Sequence, residues 1–70
     1  MAKDDIQGLE QVIRSLREKK GLTQEELAFK AKVTPDYGAQ LELGLRKNPS
    51  LDVVRRLARA LGVRLAELLG

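Results

Sequence analysis

Residues 22–44 read LTQEELAFKAKVTPDYGAQLELG, and this stretch contains two signals for the start of a helix. The first is a capping box, in which the Thr23 hydroxyl accepts from the Glu26 amide while the Glu26 carboxylate reaches back to the amide of Thr23. In the second, Thr34 caps a helix, and Pro35 is tolerated at the first helical position because its missing N–H has no partner there. The stretch therefore predicts two consecutive helices.

The two helices are joined by a very short connection. Leu27, Ala28 and Ala31 form the inner face of the first, and the two small alanines allow another helix to pack close. Only residues 32–34 separate it from the next helix, which covers about residues 34–43. So short a connection forces a sharp angle, and this is the helix-turn-helix arrangement.

Three further helices are predicted outside this pair. The first of them runs from about Gln7 to Lys20 and precedes the pair, with an apolar stripe of Leu9, Val12, Ile13 and Leu16. Another begins after the cap Ser50 and ends at Gly62, with an inner face of Leu51, Val54, Leu57, Ala58 and Leu61. A short helix over Leu65–Leu69 closes the chain.

The whole pattern predicts an all-α fold of five helices. The 70 residues are 43% hydrophobic and 33% charged, which is typical of one small globular domain. That domain is expected to cover residues 1–70, with a frayed N-terminus at residues 1–5.

Composition also restricts the chemistry. The chain has no cysteine and no histidine, so disulfides, thiolate metal sites and the commonest general base are absent. No apolar run is long enough to span a membrane or to form a signal peptide. We therefore expect a cytoplasmic protein that is not an enzyme and has no cofactor, metal or small-molecule ligand.

Charge is unevenly distributed along the chain. The net charge is +3, and residues 43–70 hold 6 basic and only 2 acidic residues. This bias favours a polyanionic partner, although a solvated helix face would give the same pattern.

Several spaced elements resemble the Cro/cI-type helix-turn-helix family, which comprises phage-repressor-like and XRE-like transcription regulators. They are LTQEELA at 22–28, VTP at 33–35, QLELG at 40–44, NPSL at 48–51 and LGV at 61–63. The resemblance covers about residues 9–69. It implies a five-helix, lambda-repressor-like fold, with the third helix in the major groove of double-stranded DNA and a homodimer on a two-fold operator.

The resemblance also implies contacts to the DNA backbone. It places Thr23 and Gln24 there, where a helix N-terminus offers free amides to a phosphate. The Gln24 side chain suits a phosphate or an adjacent base, and the alternative is an ordinary residue in solvent. Arg46 and Lys47 match the family's backbone-contacting loop, although cationic loop residues are often only solvated.

The residues of the third helix and its cap that are expected at the DNA are Thr34, Pro35, Asp36, Tyr37, Ala39, Gln40 and Leu43. Gln40 is the best base reader by chemistry and by position, because its amide can bond bidentately to adenine. Asp36 either accepts a hydrogen bond from cytosine N4 or stabilises the positive N-terminal end of the helix dipole. Tyr37 either donates to a phosphate or covers the core.

Other family positions imply structural roles. Arg17 and Glu42 match an arginine and a glutamate that pair between the first and third helices. Gly38 stands where the family usually has a buried isoleucine, so Gly38→Ile should raise stability if the pocket is similar. Lys32 stands where the turn often has glycine, so a positive φ is expected there. Leu43 replaces a residue that is frequently polar.

Two functions remain open from the sequence. The first is a sequence-specific transcription regulator controlled by dimerisation, of the phage-repressor, restriction–modification controller or antitoxin kind. The second is a protein-interaction module on the same fold, such as an antitoxin or coactivator-like adaptor. The apolar C-terminal residues Val63, Leu65, Leu68 and Leu69 would serve as the dimer interface in the first and could bind a foreign partner in the second.

Overall fold

The computed structural model describes residues 8–46 and 48–69, and these contain five helices and no strand. The helices are α1 Leu9–Lys19, α2 Gln24–Ala31, α3 Pro35–Glu42, α4 Leu51–Leu61 and α5 Leu65–Leu69. The predicted all-α fold is confirmed. The expectation of a frayed N-terminus falls on residues outside the described ranges. None of the described helices is long and apolar enough to cross a membrane.

Three helices begin at the predicted side-chain caps. The hydroxyls of Thr23, Thr34 and Ser50 accept from the amides three residues later, at 3.0, 3.1 and 3.2 Å. The capping box at the start of α2 is complete, because the Thr23 amide also donates to the Glu26 carboxylate at 2.8 Å. These helix starts were predictable because each signal acts within four residues.

The core lies where α4 contacts α1, α2 and α5. Ile13, Leu57 and Leu61 are the largest fully buried side chains. The predicted inner face of α2 is confirmed, since Leu27, Ala28 and Ala31 are all buried.

The predicted inner face of α4 is wrong at one position. Leu51 is 52% exposed, whereas Val53 is buried. At about 100° per residue, Leu51 lies roughly a right angle away from the centre of the buried stripe. Apolar character at the first helical position was therefore a poor indicator of burial.

The turn between α2 and α3 is closed by a residue in the left-handed region. Lys32 has φ 61° and ψ 42°, as the sequence predicted, and it forms the C-cap of α2. This conformation costs a non-glycine residue roughly 1–2 kcal/mol. A residue of α4 also contacts this turn, which the sequence did not predict: Arg56 Nη1 donates to the Lys32 carbonyl at 3.0 Å.

Gly38 brings α2 and α3 close together. A Cβ built on Gly38 would lie 3.4 Å from the Cβ of Ala28, so the two helices approach closely at a pair of small residues. The cavity beneath this position is only about 10 Å³. The pocket expected for a buried isoleucine is therefore absent, because the Ala28 side chain lies directly opposite.

Candidate nucleic-acid interface

A buried carboxylate fixes α3 against α1 and α2. The Arg17 guanidinium forms a two-point contact with Glu42: Nε is 2.7 Å from Oε2, and Nη2 is 3.1 Å from Oε1. The Gln24 amide nitrogen donates to the same Oε1 at 3.1 Å. Arg14 donates to the Glu42 backbone carbonyl at 3.0 Å. We call Arg14, Arg17, Gln24 and Glu42 the inner cluster.

The inner cluster satisfies a carboxylate that water barely reaches. The side chain of Glu42 is 2% exposed, and that of Arg17 is 12% exposed. The hydrogen bonds that Arg17 donates to Glu42 raise the pKa of Arg17 above its usual value, against the opposing effect of burial. Arg17 also donates to the Leu22 carbonyl at 2.7 Å and so ties the end of α1 to the approach to α2.

Gln24 therefore has a structural partner that its sequence position did not reveal. It is half-buried, and its amide nitrogen faces the carboxylate of Glu42. The sequence offered a phosphate clamp or a solvated residue for Gln24, and this contact with Glu42 comes in addition to those two roles. The second amide hydrogen and the carbonyl oxygen of Gln24 remain for a ligand, so a phosphate contact stays a prediction.

A second polar cluster lies on the outer face of α3. Arg46 Nε donates to the Gln40 side-chain oxygen at 2.8 Å. The Arg46 guanidinium carbon also lies 4.9 Å from the centre of the Tyr37 ring, within the range of a cation–π interaction. We call Tyr37, Gln40 and Arg46 the outer cluster.

The remaining predicted contact residues of α3 lie along the same helix and its cap. Thr34, Pro35, Asp36 and Leu43 are exposed, and Ala39 is half-buried. Lys47 lies outside the described residues. The outer surface of α3 is therefore accessible, and within this helix Gln40 alone carries a side-chain amide.

The predicted C-terminal interface is wrong at one residue. Leu68 is 2% exposed and belongs to the core of the single chain, so it cannot also cover a partner. Leu69 is 56% exposed, while Val63 and Leu65 are half-buried against the core. The short α5 thus turns one leucine inward and another outward.

Sequence reasoning missed two large exposed apolar side chains, Phe29 and Leu45, the latter 66% exposed in the loop after α3. Phe29 on α2 is 85% exposed. The signal was present, because Phe29 lies about 150° around the helix from the inner face formed by Leu27, Ala28 and Ala31. An open groove beside it is lined by Leu22, Thr23, Glu25, Glu26, Phe29 and Lys30.

Comparison with known proteins identifies the class. The family model described as Helix-turn-helix matches residues 13–68. The chain belongs to this family, the XRE-type DNA-binding transcription regulators.

Its relatives include both short and longer regulators. The chain is 45% identical over 53 residues to an uncharacterized HTH-type transcriptional regulator of Sinorhizobium fredii, covering 76% of this chain and 68% of that protein. It is 38% identical to the immunity repressor protein of Bacillus phage phi105, covering 86% of this chain but only 41% of the repressor.

A solved structure supports the same fold. The restriction-modification controller protein C.AhdI from Aeromonas hydrophila superposes with a TM-score of 0.85 at 41% identity, covering 91% of this chain and 96% of that chain. The lambda-repressor-like architecture predicted from the sequence is therefore confirmed.

Proposed function

We propose that this chain regulates transcription by binding a specific DNA sequence, with α3 as the recognition helix in the major groove. The observation that carries the proposal is the contrast between the two faces of α3. Its inner face is held by Glu42 in a network with α1 and α2, while its outer face is left open. A helix fixed in this way can present base-reading groups at a constant position without rearranging on binding.

The positive charge of the second half of the chain supports the same partner. Residues 43–70 hold 6 basic and 2 acidic residues, which favours attraction to phosphates. The first-turn amides of α2 that the capping box leaves free, and the exposed hydroxyls of Thr23 and Thr34, add donors where a DNA backbone would pass. The phosphate contact of Lys47 is proposed from its place in the sequence.

Base reading and phosphate contact can be separated by experiment. Gln40→Ala should cost roughly 1–3 kcal/mol on the preferred site and relax the preference at one position, with an unchanged salt slope, whether the Gln40 amide reads the base itself or holds the side chain that does. Lys47→Ala should weaken all sequences about equally and reduce the log–log salt slope by about 1 for each phosphate that is no longer neutralised. Binding is measured on a selected operator and on random DNA at several salt concentrations.

The matched control for charge loss is Arg59→Ala, which removes one exposed positive charge from α4. Arg59→Ala should leave the sequence preference unchanged, and it should reduce the salt slope by less than Lys47→Ala does. If the wild-type protein binds random DNA as tightly as any selected site, the proposed function is contradicted.

We further propose that the chain acts as a homodimer joined through α5. Leu69 presents an exposed apolar side chain beside half-buried Val63 and Leu65. A second copy docked there would bury this patch and place two recognition helices about 34 Å apart, the separation of successive major grooves on one face of DNA.

Leu69→Glu should therefore weaken self-association and leave the fold nearly intact, because the position is exposed in the single chain. Analytical ultracentrifugation measures the change. Leu51→Glu is the control, since Leu51 is exposed to a similar degree, at 52%, on a different helix. A wild-type protein that stays monomeric at high micromolar concentration would contradict the dimer.

A second candidate is a protein-interaction module, and the exposure of Phe29 favours it. The Phe29 ring is 85% exposed at the edge of an open groove, and a protein partner docked there would remove this apolar surface from water. Gel-shift assays against genomic DNA fragments discriminate between the two candidates. Specific shifts support the regulator, and their absence together with capture of a defined protein partner that Phe29→Ser abolishes would favour the module.

A further inference from the structure

We propose that Arg46 reads a guanine base, and that Gln40 and Tyr37 position it for this role. The inference rests on the proposed DNA-binding function and concerns the outer cluster alone. From the sequence, Arg46 was expected to contact a phosphate and Gln40 to read an adenine. The contacts between them point to a different division of roles.

Arg46 is held at two places. Its Nε donates to the Gln40 side-chain oxygen at 2.8 Å, and its guanidinium lies 4.9 Å from the centre of the Tyr37 ring. Both partners belong to α3, so the loop residue is drawn back onto the helix that the proposed function places in the major groove. A guanidinium bound in this way has fewer orientations to lose on binding DNA.

The groups that remain on Arg46 match the edge of a guanine. The hydrogen bond to Gln40 uses Nε, and within the described residues Nη1 and Nη2 have no acceptor. Arginine N–H groups form two parallel hydrogen bonds with guanine O6 and N7, the commonest specific contact in the major groove. The two terminal nitrogens of Arg46 can make this contact without breaking the bond to Gln40.

The same contact changes what Gln40 can do. A bidentate bond to adenine needs the amide oxygen as acceptor and the amide nitrogen as donor. In the outer cluster the oxygen already accepts from Arg46. Gln40 therefore serves as a positioning residue, with its amide N–H groups left to donate to a neighbouring acceptor.

Arg46→Ala distinguishes a guanine contact from a phosphate contact, because losing a base contact removes a preference for one base, whereas losing a phosphate contact weakens binding to all sequences about equally. Binding is measured on a library of operator variants and on random DNA. The wild-type protein should prefer guanine at one position of each half-site by on the order of 5- to 150-fold. Arg46→Ala should abolish this preference, and Arg46→Lys, which keeps the charge but lacks the planar fork, should reduce it while its salt slope stays that of the wild type.

Replacing that guanine with 7-deazaguanine, which lacks the N7 acceptor, tests whether N7 takes part in the contact. It should weaken binding by the wild-type protein and leave Arg46→Ala unaffected. Arg59→Lys, at an exposed arginine of α4, is the matched control and should behave as wild type.

The positioning role is tested at Gln40. Gln40→Leu should reduce the guanine preference, and Gln40→Glu, which keeps an acceptor oxygen for Arg46 Nε, should retain it. Retention of the guanine preference in Arg46→Ala would overturn the inference, and so would a loss of affinity in that variant that is equal on all sequences. In those cases sequence preference elsewhere in the site persists, so the proposed function survives. A wild-type protein with no sequence preference contradicts both.

Discussion

The inner and outer clusters lie on nearly opposite sides of the same helix. Gln40 and Glu42 are two residues apart, which corresponds to about 200° around α3. Each accepts a short hydrogen bond from an arginine outside α3, at 2.8 Å for Gln40 and 2.7 Å for Glu42. The distances are alike, but the surroundings differ: the Glu42 side chain is 2% exposed, and the bond between Arg46 and Gln40 is exposed.

This difference decides what each contact does. An exposed contact is screened by water and contributes little to folding, so its partners can exchange it for a ligand. A buried ion pair contributes modestly as a pair, but removing one partner strands a charge away from water. The inner cluster is therefore a constraint on the fold, and the outer cluster is available to a ligand.

The largest effect is expected from breaking the inner cluster. Glu42→Ala should destabilise the protein by up to about 3–5 kcal/mol, because it removes the carboxylate that pairs with Arg17, whose side chain is only 12% exposed. Chemical denaturation measures the loss. If the variant does not fold, Glu42→Gln keeps one acceptor oxygen and should give a smaller, measurable loss. Glu18→Ala is the control, since Glu18 is 65% exposed and lies 3.8 Å from the same arginine.

A double-mutant cycle then tests whether the two charges act together. Adding Arg17→Ala to Glu42→Ala should cost less than Arg17→Ala does alone, because the second change removes the stranded charge. A coupling energy near zero would mean that the contrast between the clusters is wrong.

An intermediate effect is expected at Gly38, on the face of α3 that approaches α2. Gly38→Ala should stabilise the protein by up to about 1 kcal/mol through helix propensity, because the new Cβ would make an ordinary contact 3.4 Å from Ala28. Gly38→Ile should instead destabilise it by about 1–3 kcal/mol, since the cavity of about 10 Å³ cannot hold the added carbons. Thermal melts of both variants check the signs. A rise in melting temperature for Gly38→Ile would show that α2 can move away from α3 to accommodate the larger side chain, and that the inner face of α3 is less rigidly packed than its contacts indicate.

The sequence predicted the parts of this molecule that depend on local signals. Thr23, Thr34 and Ser50 each cap a helix by a bond spanning three residues, and Lys32 takes the conformation that its place after α2 requires. Such features need no knowledge of distant parts of the chain. The predicted fold follows from them together with helical periodicity.

What the sequence did not predict depends on the packing of separate elements. The pairing of Arg17 with Glu42 was expected from the family resemblance, but the further bond from Gln24 to the same carboxylate depends on how closely α2 meets α3. The bond between Arg46 and Gln40 depends on the path of the loop after α3. Leu68 and Leu69 are adjacent and chemically identical, and only the docking of α5 makes one buried and the other exposed.

The smallest effect is expected from the outer cluster in the absence of DNA. Gln40→Ala and Arg46→Ala should each change stability by less than about 1 kcal/mol, and their coupling energy should lie in the same range, because water competes for the bond between them. For a domain of this size, about 1 kcal/mol corresponds to a shift of roughly 4–8 °C in melting temperature. Thermal melts can therefore show whether each change in stability stays below this limit. A coupling energy well above this range would show that the outer cluster also holds the fold. Its residues would then not be free to exchange their contacts for a base, and the distinction between the two faces of α3 would fail.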